Sequence, residues 1–434
     1  MREVREDIRG GSAAAVRLAG GMPLANAIVV ADPRAWIALD EAARVVLPYH
    51  LEGPPQWEQA AQLPADLSLL DEPRLALALC HRDGWTREAA LGPAARYPGL
   101  LPLVVLRCAD WVAPVRERAR KVLREVLDPG AAVTLAPLIL LLGRRGQGAF
   151  ATELLAEVFR GARGERLACL YAHPDRTVRR FAYRLAVAQR LLSPGELARV
   201  AAQDDDTVVQ NLCADAALAA MVDEDPDDVL LPLLAARNPR VRSAGVTALR
   251  RAGRAEQAVG FLADRAEIVR ACARYVVRQH GGDPLSWYRA RCAEPGDPAL
   301  PPGAAAGLAE CGERSDAEVL WPLVRHPVPG VRARAVAGLR VLDAADARRL
   351  SPMLDDPAPG VVREVTAAVL PSAALLPQEW LVERLGTGWP RAVRIAAFRL
   401  LAERGGAAGQ RALTALRADP DEELRLRATR AARR

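Results

Sequence analysis

The chain is poor in aromatic residues and almost devoid of lysine. Phe, Trp and Tyr make up 4% of its 434 residues, whereas apolar residues together make up 51%. Alanine and leucine supply most of that apolar content, which is typical of packed helices rather than of sheets. Lysine occurs once, at Lys121, so the other 58 of the 59 basic residues are arginine. Because this bias runs through the whole chain, the number of arginines is weak evidence of function by itself.

Sequence signatures of catalysis, metal binding and membrane insertion are also missing. There is no P-loop, GxGxxG, HExxH or GxSxG motif, and GRRGQG at 143–148 lacks the Lys-Ser/Thr ending of a phosphate-binding loop. The seven cysteines include no CxxC pair, which argues against a zinc ribbon or a disulfide framework and fits a reducing cytoplasm. The apolar run 18–31 has 14 residues, fewer than the roughly 20 that a membrane span needs. A secretory signal there is the minority alternative.

A short motif recurs along the chain. In LVRHPVPGVRARAVAGLRVL, residues 323–342, a short apolar end is followed by a Pro turn, the pair Val331-Arg332 and an Ala/Leu-rich helix. Corresponding arginines fall at 332, 363, 394 and 425, a step of 31 residues each time. Such regular spacing is the signature of a stacked-repeat protein. We call the arginine of each pair the anchor; the anchors are Arg116, Arg179, Arg242, Arg270, Arg332, Arg363, Arg394 and Arg425, with Arg87 similar to them and Gln210 in one anchor position.

Each repeat is predicted to be a pair of antiparallel helices. The first helix is Leu-rich, the turn carries an Asp, Asn or His before Pro, and the second helix has a small residue three past the anchor, as at Ala335, Ala397 and Ala428. Pro ends the first helix, and the acid or amide can cap the second. The sequence therefore predicts an all-α protein, an α-solenoid of about twelve antiparallel helix pairs over residues 72–434.

Residues 1–71 do not show the repeat. Within them, residues 33–47 are predicted to form a helix, with Asp32 as its cap and Pro33 in its first position. We expect residues 1–71 to form an N-terminal helical cap, because a solenoid needs a cover over the open apolar end of its first repeat.

Two repeats depart from the pattern. The repeat at 129–162 has lost its anchor, although two helices remain around the turn 144–148. The repeat at 282–313 contains a Pro-rich stretch, 295–303, which is predicted to be an extended loop. Because long loops between repeat helices often carry function, we expect this loop to take part in binding or to bend the superhelix.

The order of turn, Val-Arg, Ala and Leu at this spacing resembles HEAT repeats, in the short bacterial form also called phycocyanobilin-lyase-type HEAT-like repeats. The resemblance covers about residues 72–434. It implies an α-solenoid with the first helices on the convex side and the second helices on the concave side. It implies little about function, since the family includes scaffolds, lyase subunits and nucleic-acid enzymes.

The anchors have two interpretations. They could form a ladder of phosphate-binding guanidinium groups. The structural interpretation is favoured, since the resemblance implies that an arginine here bonds acidic or carbonyl groups in neighbouring turns and joins one repeat to the next. Acids such as Asp206, Asp356 and Asp419 are in suitable turns.

The positions five and eight past the anchors are the predicted binding site, because both lie on the exposed side of the second helix. Stacking would align them as a basic stripe on the concave face, suited to an acidic protein surface or to phosphates. A solvated face of an arginine-rich chain is the competing interpretation, and the stripe has gaps near 215–218 and 368–371. The basic stripe comprises Lys121, Arg124, Arg184, Arg250, Arg278, Arg340, Arg399, Arg430 and Arg433.

Enzymatic and metal-binding alternatives rest on few residues. Some HEAT-like proteins resemble alkylated-DNA glycosylases, but Asp110 is expected to cap a turn, and Trp85 and Trp111 are expected to pack between repeats. Two further aromatics, Trp287 and Tyr288, complete the aromatic material for such a site. Cys169 with His173, or Cys80 with His81, supplies too few ligands for zinc. Cys213 and Cys272 fall at small-residue positions of second helices, where cysteine behaves as a small hydrophobe.

The sequence thus predicts a non-enzymatic, cytoplasmic scaffold that binds a protein partner along the concave face. A nucleic acid held by the basic stripe is the alternative partner, and a glycosylase-like enzyme is the third interpretation. No cofactor, metal or membrane partner is predicted. The net charge of +6 is small for this length and fits a mixed solvated surface as well as an acidic partner.

Overall fold

The structure is a computed structural model that describes residues 2–44, 56–61, 63–160, 164–222 and 226–431. Every regular element in these ranges is an α-helix or a 3-10 helix, so the prediction of an all-α fold is confirmed. None of these helices combines the length and apolarity needed to cross a bilayer. The chain divides into two compact units, Met1–Ser193 and Pro194–Arg434.

Unit 1 contains an N-terminal group of helices followed by four helix pairs, α5/α6, α7/α8, α9/α10 and α11/α12. Two 3-10 turns, Leu67–Leu69 and Pro98–Leu100, precede α5 and α7. The helices are α1 (Arg2–Ala19), α2 (Leu24–Ala27), α3 (Pro33–Arg44), α4 (Gln56–Ala61), α5 (Glu72–Leu79), α6 (Gly84–Ala94), α7 (Leu101–Arg107), α8 (Ala113–Val126), α9 (Pro129–Leu142), α10 (Ala149–Phe159), α11 (Gly164–Tyr171) and α12 (Arg176–Gln189).

The N-terminal helices pack on the first pairs of unit 1. Helix α1 contacts α3 and α5, and α3 also contacts α7 and α9. As predicted, α3 begins at Pro33, and the Asp32 carboxylate accepts the Arg34 N–H at 2.9 Å. The predicted end of this helix, at Leu47, lies outside the described residues. The assignment of residues 1–71 as a separate cap stays a prediction.

Unit 2 contains eight helix pairs. Some first helices are short or are 3-10 helices, namely Ala255–Phe261 before α17, Ser351–Asp355 after α22 and Leu416–Ala418 after α26; two further 3-10 segments are Arg314–Asp316 and Leu370–Leu375. The α-helices are α13 (Pro194–Gln203), α14 (Thr207–Ala219), α15 (Asp227–Ala235), α16 (Pro239–Ala248), α17 (Glu267–Gln279), α18 (Pro284–Cys292), α19 (Pro302–Cys311), α20 (Ala317–Leu323), α21 (Pro329–Val341), α22 (Ala347–Leu350), α23 (Pro359–Val369), α24 (Gln378–Glu383), α25 (Arg391–Arg404), α26 (Ala407–Ala415) and α27 (Glu422–Ala431).

The four pairs of unit 1 and the eight of unit 2 make twelve within the described residues, which confirms the predicted number. Second helices stack on one another inside each unit, for example α6 on α8, α19 on α21 and α21 on α23. The small residues three past the anchors, such as Ala335, Ala397 and Ala428, are buried in this stack. Each unit therefore is an α-solenoid of HEAT-like repeats.

A side chain in the turn bonds the backbone just before the second helix. In eight of the described turns, this side chain belongs to the residue three positions before the first residue of the second helix. It accepts the backbone N–H of the residue two positions later in the chain, at 2.7–3.0 Å. Such an Asx-type turn satisfies an N–H that the helix start would leave unpaired. We call this residue the turn acceptor; the eight are His81, Asp110, His173, Asp204, Asp264, His326, Asp356 and Asp419.

The Pro-rich loop between α18 and α19 is held by hydrogen bonds on both sides. Arg291 donates to the Asp297 carboxylate at 2.6 Å and to the Ala299 carbonyl at 2.9 Å. From the following turn, the Nε2 atom of His326 bonds the Asp297 carbonyl at 2.8 Å; Nε2 is the donor, because Nδ1 accepts the Val328 N–H. The predicted loop is present, and its role in binding or bending stays a proposal, tested by deletion of 296–301.

Substitution of Gly307 by Ala is expected to destabilise unit 2. A Cβ atom at Gly307 would overlap the ring of Tyr288, which is buried and donates its hydroxyl to the Leu262 carbonyl at 2.7 Å. Overpacking of this kind costs about 1–3 kcal/mol, to be measured by urea unfolding. Gly360→Ala is the matched control, because nothing lies within 4 Å of its Cβ position; equal effects of the two substitutions would contradict this account.

Candidate binding surface

The anchors occupy the fourth position of the second helices and make one set of contacts. At Arg332, Nη1 donates to the carbonyls of His326 and Pro327, six and five residues earlier, at 2.9 and 3.1 Å. Its Nε and Nη2 atoms donate to the two carboxylate oxygens of Asp356, the turn acceptor of the next pair, both at 2.8 Å. The same bidentate tie joins Arg87 to Asp110 and Arg242 to Asp264. The Nη1 contacts recur at Arg87, Arg116, Arg179, Arg242 and Arg425.

Two anchor positions use other partners. Arg270 pairs with Glu310 of α19, because the Pro-rich loop offers no turn aspartate to it. Gln210 donates to the Asp204 carbonyl and accepts from the Asn238 side chain at 2.8 Å, so a neutral tie replaces the ion pair. The interpretation of the anchors as structural ties is confirmed at these arginines.

Arg363 was wrongly assigned as an anchor. Helix α23 begins at Pro359, so its fourth residue is Val362, which is buried. Arg363 is the fifth residue, its side chain is 72% exposed, and its nearest acid is Glu364 at 3.5 Å. The true step is 30 residues from Arg332 to Val362 and 32 from Val362 to Arg394. The constant 31-residue step is therefore coincidental at this repeat.

A double-mutant cycle on Arg332 and Asp356 is expected to give a coupling of about 1–3 kcal/mol in the free energy of unfolding. Both side chains are largely buried and the contact is bidentate. The same cycle on Arg363 and Glu364 is the matched control and should give less than about 0.5 kcal/mol, as for an exposed pair. Urea unfolding of the variants supplies both values, and comparable couplings would refute the structural role.

The structure describes eight of the nine predicted stripe residues. Lys121 and Arg124 lie on α8 and Arg184 on α12, all in unit 1. In unit 2, Arg250 directly follows α16 and the others lie on α17, α21, α25 and α27. Seven are exposed and Arg399 is partly buried; Arg433 lies outside the described residues.

The stripe cations are left without carboxylate partners. Within the described ranges, none of the eight forms an ion pair, whereas the anchors do so repeatedly. Two have aromatic neighbours: the guanidinium of Arg124 lies 4.6 Å from the ring centre of Phe150, and that of Arg250 lies 5.9 Å from that of Tyr275. The Arg250 Nη1 atom also donates to the Tyr275 hydroxyl at 3.4 Å, so one N–H of this guanidinium has a partner within the fold.

The stripe is interrupted in unit 2. On α19 the fifth position past the anchor position is Glu310, which neutralises Arg270 and Arg274. On α23 the correct register places Ala367 and Leu370 at these positions. The stripe is therefore a set of separated cationic patches.

The predicted packing of Trp85 and Trp111 between repeats is wrong. Their side chains are 82% and 77% exposed, respectively. Asp110, in contrast, is 4% exposed, accepts the Val112 N–H at 3.0 Å and binds Arg87. Asp110 lies in the turn as expected and accepts an N–H there, but α8 has no side-chain cap at its N-cap residue Val112, and the Asp110 carboxylate faces other residues of the fold.

A buried ionic network in unit 1 was missed by the sequence analysis. Asp40 and Arg44 of α3 meet Arg87 of α6, Arg107 of α7 and Asp110. The Arg107–Asp40 distance is 2.5 Å, and Arg107 is 2% exposed. This network links the N-terminal helices to the first two pairs. Its one local signal is the charged residue at 107 inside the apolar run LVVLRC.

Burial raises the pKa of Asp40 to about 6, and the Arg44 guanidinium offsets part of this rise. In the unfolded chain an Asp ionises near pH 4, so the folded protein binds more protons between these values. The stability that neutral Asp40 contributes is fully present below pH 4 and is lost as the pH rises through 6.

The free energy of unfolding of Asp40→Asn, taken relative to that of the unsubstituted protein, should therefore increase by roughly 1–3 kcal/mol as the pH rises from 4 to 7. Asparagine has nearly the same shape as a protonated aspartic acid and stays uncharged at every pH. Urea unfolding at several pH values measures the difference, and a difference that does not vary with pH would refute the assignment.

Cysteine and histidine do not assemble a metal site in the described ranges, where no group of three potential ligands is found. His173 uses Nδ1 to accept the Asp175 N–H, while Cys169 is exposed. Cys213 is buried, as expected of a small hydrophobe, and burial raises the pKa of its thiol to about 12.

Comparisons with known proteins give only distant structural similarity. No known family profile matches this chain, and no curated protein does. Among solved structures, Kap121p bound to the extreme C-terminus of the protein phosphatase Cdc14p is 12% identical, with a TM-score of 0.37, over 94% of this chain and 55% of that chain. Kap121p in another crystal structure is 13% identical, with a TM-score of 0.32, over 98% and 53%. A homology model of the full-length AP-3 complex is 12% identical, with a TM-score of 0.27, over 92% and 91%. The chain spans about half the length of the Kap121p chains.

Proposed function

We propose that this protein is a non-enzymatic scaffold whose second-helix cations bind an acidic surface of a protein partner. The observation that carries the proposal is that anchor arginines and stripe arginines differ in their exposure and in their partners. Anchors such as Arg332 have their donors filled inside the fold, whereas stripe residues such as Arg340 on the same helix are exposed and have no ion-pair partner in the described part of the chain.

Binding through such a surface needs several contacts at once. An exposed ion pair contributes about 0.2–1 kcal/mol, so one patch cannot hold a partner. Exposed charges mainly accelerate association and fix orientation, and their effect is screened by salt. The repeat supplies multiple contacts by presenting Arg278, Arg340 and Arg430 at related positions of α17, α21 and α27.

Charge reversal of the stripe in unit 2 should abolish partner binding without unfolding the protein. The test variant is Arg278→Glu, Arg340→Glu and Arg430→Glu together. The matched control reverses the same amount of charge at three exposed arginines of unit 2 outside the stripe, Arg334, Arg411 and Arg417.

A partner captured from the source cell and then purified provides the measurement. We expect at least a tenfold weaker Kd for the stripe variant, equal to at least 1.4 kcal/mol, little change for the control, and weaker binding at higher salt. Equal affinity of the stripe variant and the unsubstituted protein would exclude the proposal.

A nucleic acid is the alternative partner, favoured by the contact between Arg250 and the exposed ring of Tyr275, since bases stack on aromatic rings beside cations. The same variants distinguish it. Duplex or single-stranded DNA should then bind at about 50 mM salt with micromolar protein and release steeply as salt rises. No binding under those conditions would remove this alternative.

We also propose that the chain belongs to the short bacterial HEAT-like type and acts in the cytoplasm. Its anchor positions are 30–32 residues apart in the last four pairs. All seven cysteines are unpaired, which fits a reducing compartment.

A further inference from the structure

Arg116 is held like the other anchors but has no carboxylate. Its Nη1 atom donates to the carbonyls of Asp110 at 2.8 Å and Trp111 at 3.4 Å. These bonds orient the guanidinium as in Arg332, where the Nε–Nη2 edge receives a carboxylate from the next turn. No acid described in the structure pairs with this edge of Arg116.

The missing acid has a simple cause in the sequence. The next second helix is α10, which begins at Ala149, so its turn-acceptor position is residue 146. That residue is Gly146, within the turn GRRGQG, whereas the corresponding residues Asp110, Asp264 and Asp356 each bind the preceding anchor. Arg116 of the α7/α8 pair therefore faces a turn of the α9/α10 pair that has glycine where those three turns have aspartate.

The surroundings of Arg116 suit an external acid. Arg116 is partly exposed, and the neighbouring Trp111 side chain is 77% exposed. In the glycine-rich turn of the next pair, Arg144 is exposed, and Arg145 contacts Glu41 at 3.4 Å with both side chains half-exposed. Because Arg116 is partly exposed and its Nε–Nη2 edge has no acid partner among the described residues, an acid from outside the fold can reach it.

We propose that the Nε–Nη2 edge of Arg116 binds an Asp or Glu side chain of a partner protein. The acid takes the place that a turn aspartate fills in other pairs. A guanidinium fork matches a carboxylate in two parallel hydrogen bonds. Because Nη1 is already fixed by two carbonyls, less conformational entropy is lost on binding than for a free surface arginine. This site lies at the start of α8 and does not depend on the basic stripe.

The first test places an aspartate of this chain itself opposite Arg116. Gly146→Asp restores the turn acceptor, and its Cβ position has nothing within 4 Å. We expect the Tm to rise by about 2 °C or more, and this rise to vanish in an Arg116→Ala background. Gly146→Asn, which has the same shape without the charge, should give a clearly smaller rise. A Gly146→Asp effect that is absent, or that is equal in both backgrounds, overturns the proposal.

The second test uses a probe that this fold already binds. A fluorescein-labelled peptide copying residues 353–361 carries Asp356, the natural partner of Arg332. Its anisotropy should rise with the unsubstituted protein at up to millimolar concentrations. Gly146→Asp, which leaves Arg116 in place, should weaken binding at least tenfold, as should replacement of both peptide aspartates by Asn.

The other outcomes of the peptide test also support or contradict the proposed site at Arg116. The stripe variant of unit 2 should bind the peptide normally, which separates this site from the proposed scaffold surface. Failure of the unsubstituted protein to bind the peptide, or unchanged binding by Gly146→Asp, overturns the proposal. Displacement of the peptide by inorganic phosphate at equal ionic strength would overturn it in favour of a phosphate site.

Discussion

The structure depends on one interaction, the guanidinium tie between successive turns. Carbonyl groups in the turn between the two helices of a pair lie outside both helices and therefore need other partners. The anchor satisfies them with Nη1 and uses its other edge to hold the turn acceptor of the next pair, as Arg332 does with Asp356. Turn acceptor, anchor and following turn are thereby fixed together. Stacking register in each unit is set at the turns, while the apolar helix faces supply the driving force for packing.

Where this tie is lost, a different contact holds the neighbouring pair. Val362 cannot bond the turn before α25, and there Arg384, which directly follows α24, instead pairs with Asp355 in two contacts, one of 2.8 Å. The Arg384 guanidinium also lies 3.6 and 4.6 Å from the ring centres of Trp380 and Trp389. Successive pairs thus need a side-chain link between them, and different kinds of residue can provide that link. Arg116 differs because its outward edge has no such substitute among the described residues.

The sequence predicted the fold well because its signal is periodic and local. Twelve pairs and the capped start of α3 follow from spacing and turn chemistry, and the structural role of the anchors follows from the resemblance to HEAT repeats. The predicted register was wrong at Arg363, because residue spacing does not show where a helix begins. The steps between anchor positions are 30 residues before Val362 and 32 residues after it, each one residue away from 31. Exposure of Trp85 and Trp111 was mispredicted because one apolar residue in a turn or at a helix start belongs to no periodic pattern that would indicate its direction. The network joining Asp40 to Arg107 spans 67 positions of sequence, and no local pattern encodes such a contact.

The distribution of acids decides which arginines remain for a partner. Turn aspartates are placed where a helix start needs an acceptor, so the anchors obtain their counter-charges from a structural requirement of the turn. The second-helix face has no corresponding requirement, and a carboxylate of that face neutralises an anchor where the next turn supplies none, as Glu310 does for Arg270. Unneutralised positive charge therefore collects on Arg278, Arg340 and their equivalents even though the net charge of the chain is only +6. An acidic partner would complete on this face the pairing that the turns complete within the fold.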